Sequence, residues 1–405
     1  MSMPFHTAGR GRGCVLIVQY SARRDGSAMS ALLLADGLRE AGWGTHVAFA
    51  APGPMATVFE ERGHAAEVVP HKNWLRTKRY TSFVRNALRE LRTIPAMRAC
   101  IERVRPDVVY VNTGASAVGV WAARNAGVPV LWHLRELFDD VGGELVVPSR
   151  LRAPIRRVMA AWPDRLVVNS EAVARNVLGA RAGQASVVPN AVEDGFFAEA
   201  RSVEAARSAL GLPTEGLVVG VPGTLRPMKG HPFFFRAIAP LLRNRPGVLV
   251  AVTGGTSGAY AASLRLLVEE LGIGPQVRFL GDVADMPALY RASTLVCIPS
   301  RAEPFGRTAI EAFAVGTPVV ASAVGGLLEL VEDDRTGRLV PYDDDDALVR
   351  IVGYLLDVPE ERARLSGTAR RMAEERYGAA TYQARLLRLV RQSLAQGMKE
   401  DAATA

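Results

Sequence analysis

The stretch TLVCIPSRAEPFGRTAIEAFAVGTPVVA, residues 294–321, contains a complete strand–helix–strand unit. Apolar runs at its start (294–298) and at its end (318–321) are typical of strands. Between them, apolar residues recur at helical spacing, and Gly316 ends the helix with a proline just beyond. This order predicts a βαβ crossover, which joins parallel strands.

The same alternation of strands and helices continues outward through the chain. Strands are predicted at 14–18, 45–49, 107–112, 128–133 and 165–169, and again at 217–221, 248–253, 277–280, 294–298 and 318–321. The loop-like sequence VVPNAVEDGFF, within 186–205, separates the two groups. We therefore predict an α/β protein with two doubly wound domains, 1–188 and 189–375, followed by a C-terminal helix at 376–405 that packs back on the first domain.

The composition is that of a globular protein, since 49% of the 405 residues are hydrophobic and 22% are charged. No stretch approaches the roughly 18 to 20 continuous apolar residues of a membrane span. The first thirteen residues are polar and lack the apolar region of a signal peptide, so we expect a cytoplasmic location. Cys14, Cys100 and Cys297 are too far apart in sequence to suggest a disulfide framework or a zinc site.

The formal charge of +8 is concentrated in the first half, where residues 72–105 contain ten basic and two acidic side chains. A helix is predicted at 81–93. Its apolar side is Phe83, Val84, Ala87, Leu88 and Leu91, and its basic side is Arg85, Arg89 and Arg92. This pattern favours docking at the inner face of an anionic membrane that carries a lipid-linked acceptor, and no nucleic acid is expected. The alternative is an ordinary packed helix in an arginine-rich protein.

Two glutamates mark a candidate ligand site around the helix of the opening stretch. Glu303 precedes Pro304, which suits a helix start, so this glutamate is expected in the loop at the helix N-terminus. Glu311 is expected about two turns inside the helix. A diphosphate can sit against the free amides near Phe305 and Gly306, while the carboxylates accept hydrogen bonds from sugar hydroxyls. The alternative is two ordinary solvent-facing glutamates.

Two features of the first half are further candidates. The turn around Gly26 follows the first strand and leads into a helix at 30–41, so its amides could meet an anion; an ordinary turn is the alternative. His133 is expected at the end of a strand, where doubly wound sheets bind ligands. A histidine that only packs in the core is the alternative there.

The segment EPFGRTAIE, in which Glu303 and Glu311 form a Glu-x7-Glu pattern, resembles family 4 of the retaining glycosyltransferases. The resemblance continues in order along most of the chain, through the motifs VNSE (168–171), VPN (188–190), FLG (279–281), GTPVVA (316–321), GGL (325–327) and TGRLV (336–340). It implies the GT-B fold, in which two Rossmann-like domains face an interdomain cleft. The first domain would then serve the acceptor and the second the nucleotide-sugar donor.

The resemblance also implies roles for individual residues. Glu311 would bind the nucleotide ribose, Glu303 would lie near the anomeric carbon of the donor sugar, and Lys229 would neutralise the departing diphosphate. The other implied donor contacts are His133, Phe305, Gly306, Val283 and Gly26. The donor would be a UDP- or GDP-sugar, with no metal and no other cofactor.

The sequence departs from the family pattern in two places. The family has an arginine where this chain has Thr224, and Arg226 is the candidate replacement if the strand before it continues that far. Asp25-Gly26-Ser27 also replaces the usual paired glycines of the first domain.

Two other functions stay open. A nucleotide-sugar epimerase of the same fold would need acid and base carboxylates in the first domain, with Glu136, Asp139 and Asp140 as candidates. A non-catalytic nucleotide-sugar-binding protein is the second. A nicotinamide dehydrogenase is excluded because neither first strand is followed by the glycine fingerprint. The acidic run 343–346 is interpreted as a helix cap and not as a metal site.

Overall fold

The computed structural model describes residues 12–75, 77–138, 145–198 and 201–404, with side chains through residue 395. These residues form two compact units. The first contains the described residues up to Phe138, from 145 to Pro189 and from Ala380 onward, and the second contains those of Asn190–Ala379.

The first unit is built on a parallel sheet of seven strands. They are β1 Cys14–Gln19, β2 Gly44–Phe49, β3 Ala65–Val68, β4 Val108–Val111, β5 Val130–Leu134, β6 Arg165–Val168 and β7 Ser186–Val187. Their order in the sheet is β3-β2-β1-β4-β5-β6-β7, so the direction of winding reverses between β1 and β4. The interior strands are almost continuously apolar because helices cover both faces of such a sheet.

The second unit repeats this topology with six parallel strands. They are β8 Leu217–Val221, β9 Val248–Thr253, β10 Val277–Gly281, β11 Leu295–Ile298, β12 Val319–Ser322 and β13 Arg338–Val340. The order is β10-β9-β8-β11-β12-β13, and the reversal lies between β8 and β11. Both sheets therefore have the order of a Rossmann fold, and the prediction of two doubly wound α/β domains is confirmed.

Helices connect the strands in both units. They are α1 Gly26–Glu40, α2 Pro54–Glu61, α3 Tyr80–Leu91, α4 Ile94–Val104, α5 Ala117–Asn125, α6 Arg152–Ala161, α7 Glu171–Val173, α8 Val203–Ala209, α9 His231–Asn244, α10 Ala259–Glu270, α11 Met286–Ala292, α12 Arg307–Val315, α13 Leu327–Leu330, α14 Asp345–Asp357, α15 Pro359–Arg376 and α16 Ala379–Thr404. Within the described part of the chain, none of them has both the length and the apolar character to cross a membrane.

The C-terminal helix α16 belongs to the first unit from Ala380 onward and packs beside α1. The Tyr382 hydroxyl donates to the Ser30 carbonyl at 3.2 Å, and the Gln383 amide donates to the Leu33 carbonyl at 3.0 Å. A Cβ on Gly37 would lie 2.5 Å from the Gln383 side chain. The absence of a side chain at Gly37 therefore permits this close helix contact.

Helix α3 exposes much of its predicted apolar side. Val84, Leu88 and Leu91 are exposed together with the neighbouring arginines, and Leu88 and Leu91 are 54% and 52% exposed. The side that packs against the unit instead contains Phe83 and the buried Glu90. These exposed residues do not fit the alternative of an ordinary packed helix, in which the whole apolar side would be interior. On the inward side, Glu90 bonds backbone amides.

Candidate active site

Two loops meet where the winding of the second sheet reverses. One follows β8 and ends in a short 3-10 turn, Pro227–Lys229, and the other follows β11. The Met228 carbonyl accepts from the amides of Arg301 and Ala302 at 2.8 and 3.2 Å. Ligands of doubly wound sheets bind at the carboxyl ends of strands beside such a reversal, so these loops form the candidate site of this unit.

A glycine allows the two loops to approach each other. Gly230 has a φ of +69°, and a Cβ there would lie 1.8 Å from the Pro299 carbonyl oxygen. A larger residue would force the loops apart, since real Cβ atoms essentially never approach within 3.0 Å of backbone.

The joined loops bring Lys229 and Glu303 into a direct ion pair. The ammonium Nζ donates to Glu303 Oε2 at 2.6 Å, and the Ser300 hydroxyl donates to the same oxygen at 3.1 Å. Glu303 is 6% exposed, and the Lys229 side chain is 18% exposed. The family resemblance implies that both residues contact the donor, and the structure pairs their opposite charges directly.

The loop that carries Glu303 rests on the glycine pair of the GGL motif. The Gly326 amide donates to the Glu303 carbonyl at 2.9 Å. A Cβ on Gly325 would lie 2.0 Å from that carbonyl oxygen, and one on Gly326 would lie 2.5 Å from the Phe305 backbone. The two glycines of this motif are therefore required because two backbone segments pack closely together next to Glu303.

Helix α12 begins later than the sequence suggested. Its first residue is Arg307, and Gly306 before it has a φ of +106°. The prediction of a helix start at Pro304 was wrong because the chain makes this left-handed step first. Phe305 is 4% exposed and its ring packs against Tyr377. Thr308, in the first turn, has a buried hydroxyl without a hydrogen-bond partner in the described part of the chain.

Glu311 lies inside α12 and is 7% exposed. Its carboxylate accepts from the Tyr290 hydroxyl at 2.7 Å and from Arg307 Nε at 2.6 Å. Arg307 also donates to both carboxylate oxygens of Glu193, at 2.9 and 2.7 Å. Burial alone would lower the pKa of Arg307, but the two carboxylates outweigh it and raise that pKa. Glu311 is therefore held in one orientation by a buried charged network.

The other donor residues of the second unit lie on its surface. Strand β8 ends at Val221, so strand alternation does not determine the direction of Arg226, which is exposed. Val283 is half-buried just beyond the end of β10. Their assigned donor contacts stay predictions.

In the first unit, His133 is fully buried within β5. Its Nδ1 lies 2.5 Å from the Tyr110 hydroxyl and 3.1 Å from an Arg135 nitrogen, while Nε2 has no partner in the described residues. Burial, and then the charge of Arg135, holds the pKa of His133 well below its usual value, so the ring is neutral. This placement agrees with the alternative of a histidine that packs in the core. The contact of His133 with the donor sugar stays a prediction.

The turn at Gly26 is already occupied by a carboxylate of the protein. Gly26 is the first residue of α1, and the Asp25 side chain accepts from the amides of Ser27 and Ala28, both at 3.0 Å. The expectation that these amides meet an external anion is therefore wrong for this arrangement, because the capping aspartate uses them. A donor contact at Gly26 itself stays a prediction.

Of the three carboxylates proposed for an epimerase, the structure describes Glu136, which is held by hydrogen bonds. Glu136 accepts from the Gly114 and Arg135 amides at 3.0 Å each, and also from the Thr113 hydroxyl. Asp139 and Asp140 lie outside the described residues. Glu136 acts here as an anchor for the loop after β4.

Two clusters contain side chains of the kind that bind metal ions: the acidic run 343–346, and a second cluster of His46, Glu67 and Cys100. Asp344 caps α14 by accepting from the Ala347 amide at 2.9 Å, which confirms the interpretation of the acidic run as a cap. Among the described residues, His46, Glu67 and Cys100 place ligand atoms within 4.8 Å of one another. Arg103 donates to both oxygens of Glu67, so an ion there would have to displace a charged partner.

Sequence and structure comparisons identify the family. Residues 202–372 match the family model for glycosyl transferases group 1, and residues 25–191 match a glycosyl transferase 4-like domain. The chain is 36% identical over 277 residues to D-inositol 3-phosphate glycosyltransferase from Acidothermus cellulolyticus. That match covers 64% of this chain and 61% of the relative, so the chain spans less than two thirds of the relative's length.

Solved structures share the fold over nearly the whole chain. Anabaena Alr3699/HepE in complex with UDP and glucose has a TM-score of 0.79 at 23% identity, covering 94% of this chain and 99% of that one. The same protein in complex with UDP-glucose has a TM-score of 0.78 at 23% identity, covering 95% and 100%. With its two Rossmann-like units in the GT-B fold, the chain belongs to the group 1 glycosyltransferases of family 4.

Proposed function

We propose that this protein is a retaining glycosyltransferase, which moves a sugar from a nucleoside-diphosphate sugar to an acceptor without a divalent metal. The observation that carries the proposal is the Lys229–Glu303 ion pair at the strand reversal of the second unit. The name of the Acidothermus cellulolyticus relative and the UDP-glucose bound by the Anabaena neighbour support it.

Lys229 is suited to the diphosphate of the donor. Its ammonium has three N–H donors and gives one to Glu303, so two are left for phosphate oxygens. The positive end of the α12 dipole and the Thr308 hydroxyl, in the first turn of that helix, add further attraction for an anion. These groups stabilise the negative charge that develops on the departing nucleoside diphosphate.

The two glutamates are suited to the two sugars of the donor. Glu303 would accept hydrogen bonds from the transferred sugar, and Glu311 from the ribose. Each oxygen of an ionised carboxylate can accept two hydrogen bonds, so the present partners of Glu311 leave capacity for a hydroxyl. Because Tyr290 and Arg307 fix the Glu311 carboxylate, the ribose would meet a site that is already oriented.

The outer surface of α3 is suited to an anionic membrane, where a lipid-linked acceptor would be found. Tyr80, Val84, Leu88 and Leu91 are all large and exposed, and they share one stripe of the helix. An adjacent exposed stripe consists of Arg85, Arg89 and Arg92. Apolar side chains that can enter the interface, beside cations that pair with lipid headgroups, are the features of interfacial helices.

Direct nucleotide binding tests the proposal. Titration calorimetry of the full chain with UDP, GDP and ADP should give saturable binding of UDP or GDP without added metal. Incubation with the corresponding nucleotide-sugar and no acceptor then distinguishes a transferase from an epimerase. A transferase slowly hydrolyses the donor or leaves it unchanged, whereas conversion to an epimeric nucleotide-sugar would contradict the proposal. A chain that binds none of the three nucleotides would contradict it as well.

A further inference from the structure

Three side chains of the metal-binding type meet between the edge of the first sheet and α4. His46 is on β2, Glu67 is on the edge strand β3, and Cys100 is on α4. His46 pairs with Ala65, so Glu67, two residues further along β3, faces the same side of the sheet. The Cys100 thiol of α4 donates to Glu67 on that side. Sequence spacing could not reveal this cluster, because three separate elements contribute one side chain each.

The potential ligand atoms are close to the spacing of a metal site. Glu67 Oε1 lies 2.7 Å from His46 Nε2 and 3.2 Å from Cys100 Sγ, and the three side chains place ligand atoms within 4.8 Å of one another. Tetrahedral zinc, with bonds of about 2.0 to 2.3 Å, holds such nitrogen, oxygen and sulfur ligands about 3.3 to 3.6 Å apart. Side-chain movements of about 1 Å would therefore turn these hydrogen-bonded groups into ligands of one ion.

The cluster combines a buried thiol with access from solvent. Cys100 is 1% exposed, whereas the side chains of His46 and Glu67 are 14% and 28% exposed. Thiolate and imidazole ligands favour zinc over magnesium and calcium, which prefer oxygen ligands. Three protein ligands leave the fourth position of a tetrahedral ion for a water molecule.

Arg103 is the residue that an ion would replace. Its side chain is 55% exposed and donates to both oxygens of Glu67. Exposed ion pairs contribute little stability, so Arg103 can turn to solvent at small cost. The exchange also conserves charge. Arg103 with Glu67 sums to zero, and so does Zn²⁺ with the ionised forms of Glu67 and Cys100 once the thiol proton has passed to solvent.

We propose that His46, Glu67 and Cys100 bind a zinc ion, which fastens α4 to the edge strand β3. Binding releases the thiol proton and frees Arg103 from the carboxylate, and Arg103 takes the place of the ion when it is removed. The role of the ion is to stabilise the first unit. The residues proposed for glycosyl transfer at the strand reversal belong to the second unit, so transfer itself stays independent of metal. The inference goes beyond the proposed function and does not depend on it.

The test uses the full chain without an affinity tag, with zinc in titration calorimetry and cobalt as an optical probe. One zinc ion per chain should bind, and cobalt should give a thiolate charge-transfer band. His46→Gln and Cys100→Ser should each weaken zinc binding by about 100-fold or more, since loss of an outer partner of a metal site alone costs about 10- to 100-fold. Cys100→Ser should also abolish the band. The matched control is Cys14→Ser, which removes a half-buried thiol outside the cluster and should change neither result.

Arg103→Gln tests the exchange while keeping all three ligands. It should tighten zinc binding by about 2- to 5-fold, because the competing ion pair is lost. Zinc should also slow hydrogen exchange of the Val69 amide, which directly follows β3 and donates to the Phe49 carbonyl, in the wild type but not in Cys100→Ser.

Thermal unfolding without metal checks that each variant is folded. Zinc binding that is absent from the wild type, or that keeps its full strength in folded Cys100→Ser, would overturn the proposal. If the ligand variants do not fold, Arg103→Gln decides the matter, since zinc binding that is unchanged or weaker in this variant would overturn the proposal as well.

Discussion

Lys229 and Glu303 are paired in the buried part of the site, so each substitution changes the surroundings of the other. Lys229→Ala removes the cation proposed to stabilise the departing diphosphate, and Glu303→Gln removes a charge while keeping the shape of the side chain. We expect each variant to lower turnover by about 100-fold or more, the loss typical of an electrostatic group used in the transition state. Steady-state kinetics at saturating donor would measure it.

A folding control accompanies these two variants, because breaking a buried ion pair costs about 3 to 5 kcal/mol. Thermal unfolding of each variant shows whether the second unit is still folded at the assay temperature. Turnover at the wild-type level in both folded variants would remove Lys229 and Glu303 from the mechanism.

Glu311 is predicted to act in nucleotide binding and not in turnover. Glu311→Ala should raise the Kd for UDP or GDP by more than tenfold. Tyr290→Phe, which removes the 2.7 Å bond to the carboxylate, should raise it by only about 2- to 10-fold, because Arg307 still holds the carboxylate. Calorimetry on both variants would show which of them has the larger increase in Kd. A larger effect of Tyr290→Phe than of Glu311→Ala would contradict it.

Glu90 gives the first unit a specific pH dependence. Burial raises the pKa of its carboxyl from 4.5 to about 7, against the lowering effect of the Lys72, Val118 and Ala117 amides. The native state then holds a proton that the unfolded state releases, so stability falls as pH rises from about 4.5 to about 7 and is level above that. The contribution is at most about 3 kcal/mol.

The comparison with Glu90→Gln isolates this effect. The free energy of unfolding of the wild type, relative to that of the variant, should fall between pH 4.5 and pH 7. If the two proteins show parallel pH profiles, the pKa of Glu90 is not raised. Because a chain of two units need not unfold in one step, hydrogen exchange of the Val118 amide is the local measurement.

Single residues were predictable from sequence where a local motif identified them. The Glu-x7-Glu motif gave Glu303 and Glu311, and the partnership of Arg307 with Glu311 was also readable, since they are four residues apart in one helix. The contacts of Ser300 with Glu303 and of Glu193 with Arg307 depend on tertiary folding. No spacing rule could have supplied the second, which spans 114 residues.

At the level of elements, strands buried on both faces were predicted within one or two residues of their bounds. β8 Leu217–Val221 and β9 Val248–Thr253 have the predicted bounds because their runs are continuously apolar. The strands that were missed are β3, β7 and β13, all at or next to a sheet edge. Strand β3 reads AAEV and is at most half-buried, so it lacks the apolar run on which the prediction relied.

Helix α3 carries the prediction of membrane binding. Each basic residue near an anionic bilayer contributes about 1 kcal/mol, within a Debye length of roughly 8 to 10 Å. The chain should therefore co-sediment with anionic vesicles at low salt and release at high salt. Arg85→Glu with Arg92→Glu should abolish capture, and Leu88→Ser with Leu91→Ser should weaken it, because these leucines are more than half exposed.

Arg98→Glu on α4 is the matched control, since Arg98 is an exposed cation of the same basic region and should leave vesicle binding nearly unchanged. Equal capture of the wild type by neutral and anionic vesicles would contradict the membrane prediction. It would favour an acceptor in solution, with α3 as an ordinary exposed helix.

In the whole molecule, the candidate residues are divided between the two units. His133 and Gly26 belong to the first, and the Lys229–Glu303 pair and Glu311 belong to the second. The motifs that carry the resemblance are densest in the second unit, where they correspond to glycines and charges that fix the loops. The first unit offers fewer such motifs. Its polar contacts, such as Glu136 with the loop after β4, therefore appeared only in the structure.

The transfer reaction as a whole is predicted to retain the anomeric configuration and to need no divalent metal. The proposed charge stabilisation comes from Lys229 and the α12 dipole, and the only Asp-x-Asp spacing of the chain lies in 343–346, where Asp344 caps α14. Transfer measured after exhaustive chelation should therefore proceed at the rate found with magnesium or manganese. Proton NMR of the first product, before it can mutarotate, should give the anomeric configuration of the donor. Activity that is lost with a chelator and restored by either metal would defeat the metal-independent mechanism, and an inverted product would defeat retention.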